Sequence, residues 1–277
     1  MTEIESLYDT MMENYFELEN ELMVLIHREM IFSDGEIASW TVNGLISRRV
    51  INFMSTARLY IDQLPVLLVR VFGDGSDQAI RVVSTMRKNY DARLGYRVLE
   101  ALRNYSQHRG YPIHMTSFGV SSQRGGSVPR TRHAISPAIE VGKLRADGKF
   151  KKSTLAELET LGEHVPFKPL VRSYVEGLNE VHMLTRSLVR GELEIAQGVF
   201  ESSRTNFIAS LPSEAAGEKF NIYCVELRNV NNAPSYRFIP DESVLLDHLI
   251  HKNGILKNLS QRYVTSEEIK ITDKAYD

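Results

Sequence analysis

The chain contains 277 residues, of which 43% are hydrophobic and 25% are charged. That length allows one large domain or two small ones, and the composition excludes a globally disordered protein. With 33 Lys and Arg against 35 Asp and Glu, the formal net charge is -2 at pH 7. This total neither favours nor excludes a polyanionic partner such as a nucleic acid.

Cysteine content and apolar runs indicate the compartment. Cys224 is the only cysteine, so the chain cannot form an intramolecular disulfide, and its thiol is more typical of a buried, inert group than of a nucleophile. The acidic N-terminus lacks the basic region and apolar stretch of a signal peptide. The most apolar run, residues 64–72, is interrupted by Arg70 and is shorter than the roughly 20 residues that span a bilayer. We therefore expect a cytoplasmic protein without a membrane segment.

Residues 1–110 carry three long helical patterns and a single proline, Pro65. The first pattern alternates three- and four-residue spacings, which favours helix-on-helix packing in a bundle. Its apolar positions are Ile4, Tyr8, Met11, Tyr15, Leu18, Leu22 and Leu25. The second pattern runs from about residue 36 to residue 72 and includes Trp40, and Pro65 is expected to kink or break it. The third has one apolar stripe over residues 83–105 and is expected to be a single helix.

The rest of the chain is predicted to add a fourth bundle helix and two smaller parts. Residues 111–165 form a basic insert, in which strands are best indicated at 113–120 and 133–144. The fourth helix lies within residues 166–211, although three glycines weaken the prediction of an unbroken rod. Residues 212–277 form a small α/β appendage. The predicted fold class is mainly α, an antiparallel helical bundle with a small α/β insert and a C-terminal appendage.

Charge is strongly polarised along the chain. Residues 1–30 contain eight acidic side chains and one arginine, whereas residues 103–152 contain ten Lys and Arg and two acidic residues. Aromatic side chains lie within the basic segment, a mixture that suits contact with phosphates and stacking of bases. The candidate RNA-binding residues are Arg109, His114, Arg124, Arg130 and Arg132. A solvated surface that balances the acidic first helix is an equally open interpretation.

Common catalytic signatures are absent from the sequence. There is no GxxxxGK(S/T) phosphate loop, no GxGxxG, no GxSxG and no HExxH, so ATP hydrolysis, dinucleotide binding and serine esterase chemistry lose their usual support. His248 and His251 have a spacing that can bind a metal on a helix, but no further ligand can be identified, and surface or core histidines are favoured. We expect no metal and no cofactor.

One segment at the end of the third helical pattern differs from its surroundings: ALRNYSQHRG, residues 101–110. Within it, Arg103, Asn104 and His108 resemble the motif of the HEPN superfamily, whose ribonuclease members carry Arg, a polar residue and then His after four to six intervening positions. The spacing alone is not specific, because it occurs twice in the chain. The resemblance covers mainly residues 1–110 and the fourth helix. It implies a bundle of about four helices that dimerises, with both motifs at a shared cleft.

The resemblance also implies an activity, that of a metal-independent endoribonuclease of the kind found in toxin and phage-defence systems. His108 would then move a proton during attack by the RNA 2′-hydroxyl, Arg103 would clamp the phosphate, and Asn104 would orient either group. The implied partners are RNA, a second copy of the chain, and an antitoxin or regulatory protein. Two alternatives stay open: a catalytically silent dimer that binds nucleotide, RNA or protein, and a purely structural helical scaffold.

The geometry of a regular helix poses a difficulty for such a site. At about 100° per residue, Arg103 and His108 lie about 140° apart and do not share a face. Either the helix unwinds before its end, so that His108 turns back, or Arg103 reaches across a two-fold axis to the other subunit. If these residues have no catalytic role, His108 and Arg109 only complement the C-terminal dipole of the helix.

Overall fold

Long helices build the body of the molecule. The computed structural model describes residues 1–32, 39–123, 130–210, 224–230, 233–239 and 243–265. In chain order, the helices are α1 (Thr2–Phe32), α2 (Ser39–Phe72), α3 (Asp77–Ala92), α4 (Leu94–His108), α5 (Val141–Asp147), α6 (Lys152–Glu159), α7 (Phe167–Ala209) and α8 (Ser243–Lys252). They confirm the predicted mainly α fold. None of these described helices combines the length and the apolar character needed to cross a membrane.

Two small antiparallel sheets accompany the helices. The first contains β1 (Met115–Gln123), β2 (Arg130–Glu140) and β3 (His164–Pro166), in the order β1-β2-β3. The second pairs β4 (Cys224–Val230) with β5 (Ala233–Ile239), and a 3₁₀ turn at Leu259–Gln261 follows α8. The first sheet confirms the small α/β insert that was predicted between the third and fourth bundle helices.

The heptad positions of α1 supply the first layer of the core. All seven predicted positions, from Ile4 to Leu25, are buried. They pack against buried residues of α2 such as Phe53, while α4 and α7 close the other side of the bundle. Each large apolar side chain buried in this way contributes about 1.5–3 kcal/mol, so the seam alone is a major source of stability.

Helix α2 passes through Pro65 without ending, so of the two predicted effects, a kink or a break, the break is wrong. Proline lacks the N–H that would bond to the carbonyl one turn earlier. Leu64 and Leu68 are fully buried on either side of it, and their packing keeps the segment helical to the end of α2. Near the other end of the helix, Trp40 is 76% exposed although the apolar pattern included it.

The third predicted helix is in fact two helices, α3 and α4. The break is at Arg93, whose backbone is extended (φ -116, ψ 112). The turn lets Gly95 approach α7 so closely that an added Cβ would lie 2.2 Å from the carbonyl oxygen of Leu170. Hydrogen bonds from the Arg93 side chain to Asn89 and Glu180 hold the break in place. The apolar spacing continues across this point, which is why it predicts a single helix.

Two predicted boundaries in the second half of the chain also shift. The strand expected at residues 133–144 ends at Glu140, because the backbone N–H of Val141 donates to the carbonyl of Glu163 and α5 begins there. Helix α7 is unbroken over 43 residues despite its glycines. One of them, Gly177, has a packing reason, since an added Cβ would lie 3.0 Å from Cδ of Arg93.

Polar side chains of α7 bind the C-terminal segment, residues 243–265. Arg186 donates to the carbonyl oxygen of Asn253 at 2.6 Å, which satisfies an acceptor beyond the end of α8. Asn179 accepts the backbone N–H of Leu256 at 2.9 Å. This segment is therefore part of the folded body and covers one side of α1 and α7.

Candidate nucleic-acid site at the end of helix α4

Helix α4 presents one face to the core and the other to solvent. Its buried residues are Gly95, Tyr96, Val98, Leu99, Ala101, Leu102 and Tyr105. This stripe packs mainly against α7. Asn104 and His108 are exposed on the opposite side, and Arg103 lies at the edge of the stripe, half-buried. The predicted motif therefore borders solvent at the end of the helix.

Helix α4 remains regular through His108. Arg109 then ends it by donating its backbone N–H to the carbonyl oxygen of Tyr105 at 2.9 Å. The helix does not unwind before its end, so His108 does not turn back toward Arg103. A single subunit therefore directs Arg103 and His108 to different sides of the helix. Asn104 lies between them, about 100° from Arg103 and about 40° from His108. Pairing of two subunits is the remaining way to bring Arg103 and His108 to one phosphate.

Arg103 is short of hydrogen-bond acceptors. Its Nη1 lies 3.4 Å from Oδ1 of Asn104, which is a long contact, and its Nε is buried with no hydrogen-bond partner among the described residues. Because buried donors are normally satisfied, each exception needs a reason. The planar guanidinium carries five donors that match the oxygens of a phosphate, and a phosphate bound here would supply the missing acceptors.

The neighbouring arginines of α4 and its C-terminal cap are paired, in contrast to Arg103. Arg97 donates to Glu157 at 3.0 Å, and Arg109 lies 3.1 Å from a carboxylate oxygen of Asp147. In the part of the chain that the structure describes, no acidic side chain forms an ion pair with Arg103. Among the arginines of α4 and its two caps, Arg103 is thus the one without an acidic partner in the described structure.

Arg109 is engaged inside the molecule. Its ion pair with Asp147 joins the end of α4 to α5, and the two side chains are only 27% and 13% exposed. A guanidinium held by a covered carboxylate must give up that contact, or share it, in order to bind a phosphate. RNA contact by Arg109 therefore stays a prediction that these contacts do not support.

His114 fixes the basic insert to α4. Its Nδ1 accepts the backbone N–H of Glu140 at 3.2 Å, so the proton is assigned to Nε2, which lies 3.5 Å from the hydroxyl of Tyr105. Burial, together with the positive charge of Lys143, lowers the pKa of His114 to about 4. The ring is uncharged at neutral pH, so RNA contact by His114 stays a prediction that its charge state does not support.

The other predicted RNA contacts lie on the β1–β2 hairpin. Arg130 and Arg132 are exposed at the start of β2, and Arg124 lies outside the described residues. In the hairpin register, Arg132 is opposite Ser121 and Arg130 is opposite Gln123. Opposite residues of an antiparallel pair share a face, so both arginines lie on the same face of the hairpin. The motif of α4 and these arginines belong to separate elements.

A second polar cluster, which the sequence analysis missed, lies inside the bundle. His182 is its centre: Nε2 lies 3.2 Å from Oε2 of Glu5, and Nδ1 lies 3.1 Å from the hydroxyl of Tyr60. Arg186 donates to the other oxygen of Glu5 at 2.7 Å. Glu5, Tyr60 and His182 are no more than 1% exposed. Complete burial favours a role in folding over a role in catalysis.

The hydrogen bonds of this cluster set its charges. Burial alone raises the pKa of Glu5, but the hydrogen bonds from Arg186 and His182 hold it at about 2. Burial lowers the pKa of His182, against the opposing effect of Glu5. At neutral pH Glu5 is therefore ionised and His182 is neutral, so Nε2–H donates to the carboxylate and Tyr60 donates to Nδ1.

The histidines of α8 belong to no group of metal-ligating side chains among the described residues. His248 and His251 are exposed, and no three His, Cys, Asp or Glu side chains of the described residues are grouped so that they could hold a metal ion. Comparison of the chain with protein families, with curated proteins and with solved structures gave no match. The candidate site therefore depends on the geometry of α4 and on the chemistry of its residues.

Proposed function

We propose that the chain is a metal-independent endoribonuclease whose site is formed where the α4 helices of two subunits meet. The observation that carries the proposal is the state of Arg103, which has no carboxylate partner among the described residues, lies beside Asn104 and shares the end of α4 with the exposed His108. A two-fold axis at this end of α4 would let Arg103 of one subunit and His108 of the other address the same phosphate.

The reaction needs two proton transfers and a site for negative charge. The 2′-hydroxyl loses its proton as its oxygen bonds to phosphorus, and the bond from phosphorus to the 5′-oxygen breaks as that oxygen gains a proton. Histidine suits both transfers because its ordinary pKa is about 6.5, so one His108 in each site can accept the proton of the 2′-hydroxyl and return it to the leaving 5′-oxygen. Arg103 stabilises the developing charge on the phosphorane oxygens. The products are a 2′,3′-cyclic phosphate and a 5′-hydroxyl.

The cellular role belongs to the same proposal. The motif of Arg103, Asn104 and His108 resembles that of HEPN ribonucleases, and this supports a toxin or phage-defence role in the cytoplasm. Such a nuclease needs control, so an antitoxin or regulatory protein is the proposed partner beside RNA.

A second candidate is a catalytically silent dimer that binds RNA. The observation that favours it is the composition of the β1–β2 hairpin, because residues 115–139 contain three arginines and no acidic residue. A surface of this kind attracts phosphates without any need for catalysis. Binding and cleavage must therefore be measured separately.

Cleavage of a labelled single-stranded RNA in EDTA tests the nuclease proposal. We expect wild type and Gln107→Ala, which alters an exposed neighbour outside the motif, to release fragments that end in a 2′,3′-cyclic phosphate. His108→Ala should reduce the rate by roughly 100-fold or more, with unchanged circular dichroism. Binding by wild type without cleavage would support the silent dimer, and the absence of both would remove both candidates.

A further inference from the structure

The only tryptophan of the chain lies on the surface. Trp40, in the first turn of α2, is 76% exposed. Tryptophan is highly buried on average, because its large ring gains much from leaving water. An exposed tryptophan that the core does not use suggests a ring available for stacking.

Hydrogen bonds place the β1–β2 hairpin alongside this end of α2. Nδ2 of Asn43 donates to the carbonyl oxygen of His114 at 3.1 Å, and Oγ1 of Thr116 donates to Oδ1 of Asn43 at 2.7 Å. The backbone N–H of Ile113, earlier in the chain, contacts Ser47, one turn later in α2, at 3.4 Å. The start of β1 and helix α2 therefore run in opposite directions.

Beyond the contact between Asn43 and Thr116, both α2 and β1 carry an aromatic residue. Trp40 lies three residues before Asn43, about 4.5 Å along the helix axis, and Phe118 lies two residues after Thr116, about 6.6 Å along the strand. Since side chains alternate along a strand, Phe118 shares the face of Thr116 that meets α2. Phe118 is 36% exposed, and Val120, the next residue on that face, is 62% exposed.

The outer half of the hairpin has a positive character. Residues 115–139 lack any acidic residue, and Arg132 is exposed at the start of β2. The hairpin is only two strands wide there, because β3 pairs with β2 no further out than Ala138. The long guanidinium side chain of Arg132 can therefore reach a phosphate backbone that runs along the edge of the hairpin, while the opposite face presents the partly exposed ring of Phe118 to bases.

From these observations we infer that Trp40 and Phe118 form a stacking platform for the bases of single-stranded RNA, with Arg132 contacting the phosphates. The inference rests on the proposed RNA substrate and assigns the surface that holds the strand away from the cleavage site. Charge complementarity selects this occupant, since aromatic rings on a surface element that carries exposed arginine and no acidic residue are typical of single-strand binding.

Intrinsic fluorescence tests the platform directly, because Trp40 is the only tryptophan. The full-length His108→Ala variant, expected not to cut RNA, is titrated with a 12-nucleotide single-stranded RNA and, separately, with a duplex of the same length. We expect saturable quenching of Trp40 by the single strand, weaker quenching by the duplex, and an affinity that falls with added salt.

Substitutions measured with labelled RNA complete the test. Trp40→Ala and Phe118→Ala should each weaken binding by roughly tenfold, whereas Trp40→Phe should retain most of it. Val244→Ala, which changes an exposed residue of α8 (79% exposed), is the matched control and should bind like its parent. Circular dichroism verifies that each variant is folded.

The outcomes separate the platform from the nuclease. Quenching and weakened binding without cleavage by wild type would support the platform and overturn the nuclease. Cleavage by wild type without quenching, and with unchanged affinity of Trp40→Ala, would overturn the platform and leave the nuclease intact. An emission shift of Trp40 that depends on protein concentration in the absence of RNA would identify the surface as a contact between copies, and would also overturn the platform.

Discussion

Glu5 and His182 are 177 residues apart in the chain, yet Oε2 of Glu5 lies 3.2 Å from Nε2 of His182 in the core. Both side chains have no exposed surface. The contact joins the first turns of α1 to the middle of α7, and Arg186 extends it to the carbonyls at the end of α8. One buried carboxylate therefore ties together three parts of the fold that are far apart in sequence.

Removal of this carboxylate should be costly. We expect Glu5→Ala to lower the free energy of unfolding by about 3–5 kcal/mol, because it leaves the charge of Arg186 and the imidazole N–H of His182 without their acceptor. Glu3→Ala is the matched control, since that side chain is 64% exposed and should change stability by less than about 0.5 kcal/mol. Urea unfolding followed by circular dichroism gives both values, and equal midpoints for the two variants would contradict the role of Glu5.

Stability should also fall on mild acidification. His114 has a native pKa of about 4 against 6.5 for the ordinary group. Between these values the unfolded chain binds more protons than the folded one, so the free energy of unfolding decreases as the pH falls from about 6.5 to about 4. The lowered pKa of His182 also decreases the free energy of unfolding as the pH falls below 6.5. The lowered pKa of Glu5 has the same effect between pH 4.5 and about pH 2.

The contribution of His114 can be isolated by substitution. In His114→Gln, the urea midpoint should depend less on pH between 7 and 5 than it does in wild type, because one group that titrates on unfolding is gone. Parallel pH profiles for the two proteins would show that His114 does not titrate on unfolding in this range.

Close packing of α4 against α7 gives a third prediction. Gly95→Ala should destabilise the protein by about 1–3 kcal/mol, because its Cβ would lie 2.2 Å from the carbonyl oxygen of Leu170 and the helices must separate. Gly191→Ala, in α7, meets no atom within 4 Å and should stabilise the helix by about 0.5–1 kcal/mol. Thermal unfolding of both variants should therefore shift the midpoint in opposite directions, and an unchanged or raised midpoint for Gly95→Ala would argue against the close approach at that site.

The two arginines at the end of α4 should separate stability from activity. Arg109→Ala removes the ion pair with Asp147 and should cost about 1 kcal/mol of stability while cleavage is retained. Arg103→Ala should leave stability nearly unchanged and reduce cleavage by roughly 100-fold, because Arg103 pairs with no carboxylate among the described residues and is proposed to bind the phosphate. Unfolding curves and single-turnover rates on the same preparations distinguish the two effects.

The heptad seam of α1 shows what the sequence can predict. The seven apolar positions of α1, from Ile4 to Leu25, recur at helical spacing, and all seven are buried. Spacing alone predicts them, because it decides which side of a long helix is apolar. The same logic placed Arg103 and His108 at the end of a bundle helix, although it joined α3 and α4 into one. The break at Arg93 depends on contacts with α7, and no local pattern contains them.

The polar interior could not be predicted for a related reason. Glu5 is one of eight acidic residues among the first 30, and its partner His182 is in another helix far along the chain. The unpaired state of Arg103 is equally invisible, because it is defined by the positions of Glu157 and Asp147 around the neighbouring arginines. Residue type and helical phase can be determined from the sequence, whereas pairing between side chains that are distant in the chain can be seen only in the folded structure.

Mixing of two inactive variants is the most direct test of a site shared between subunits. Arg103→Ala and His108→Ala, each inactive alone, are co-expressed so that mixed dimers form. If Arg103 of one subunit acts with His108 of the other, half of the dimers carry one intact site of two, and cleavage should recover to about a quarter of the wild-type rate. A mixture that is no more active than either variant alone would contradict the shared site.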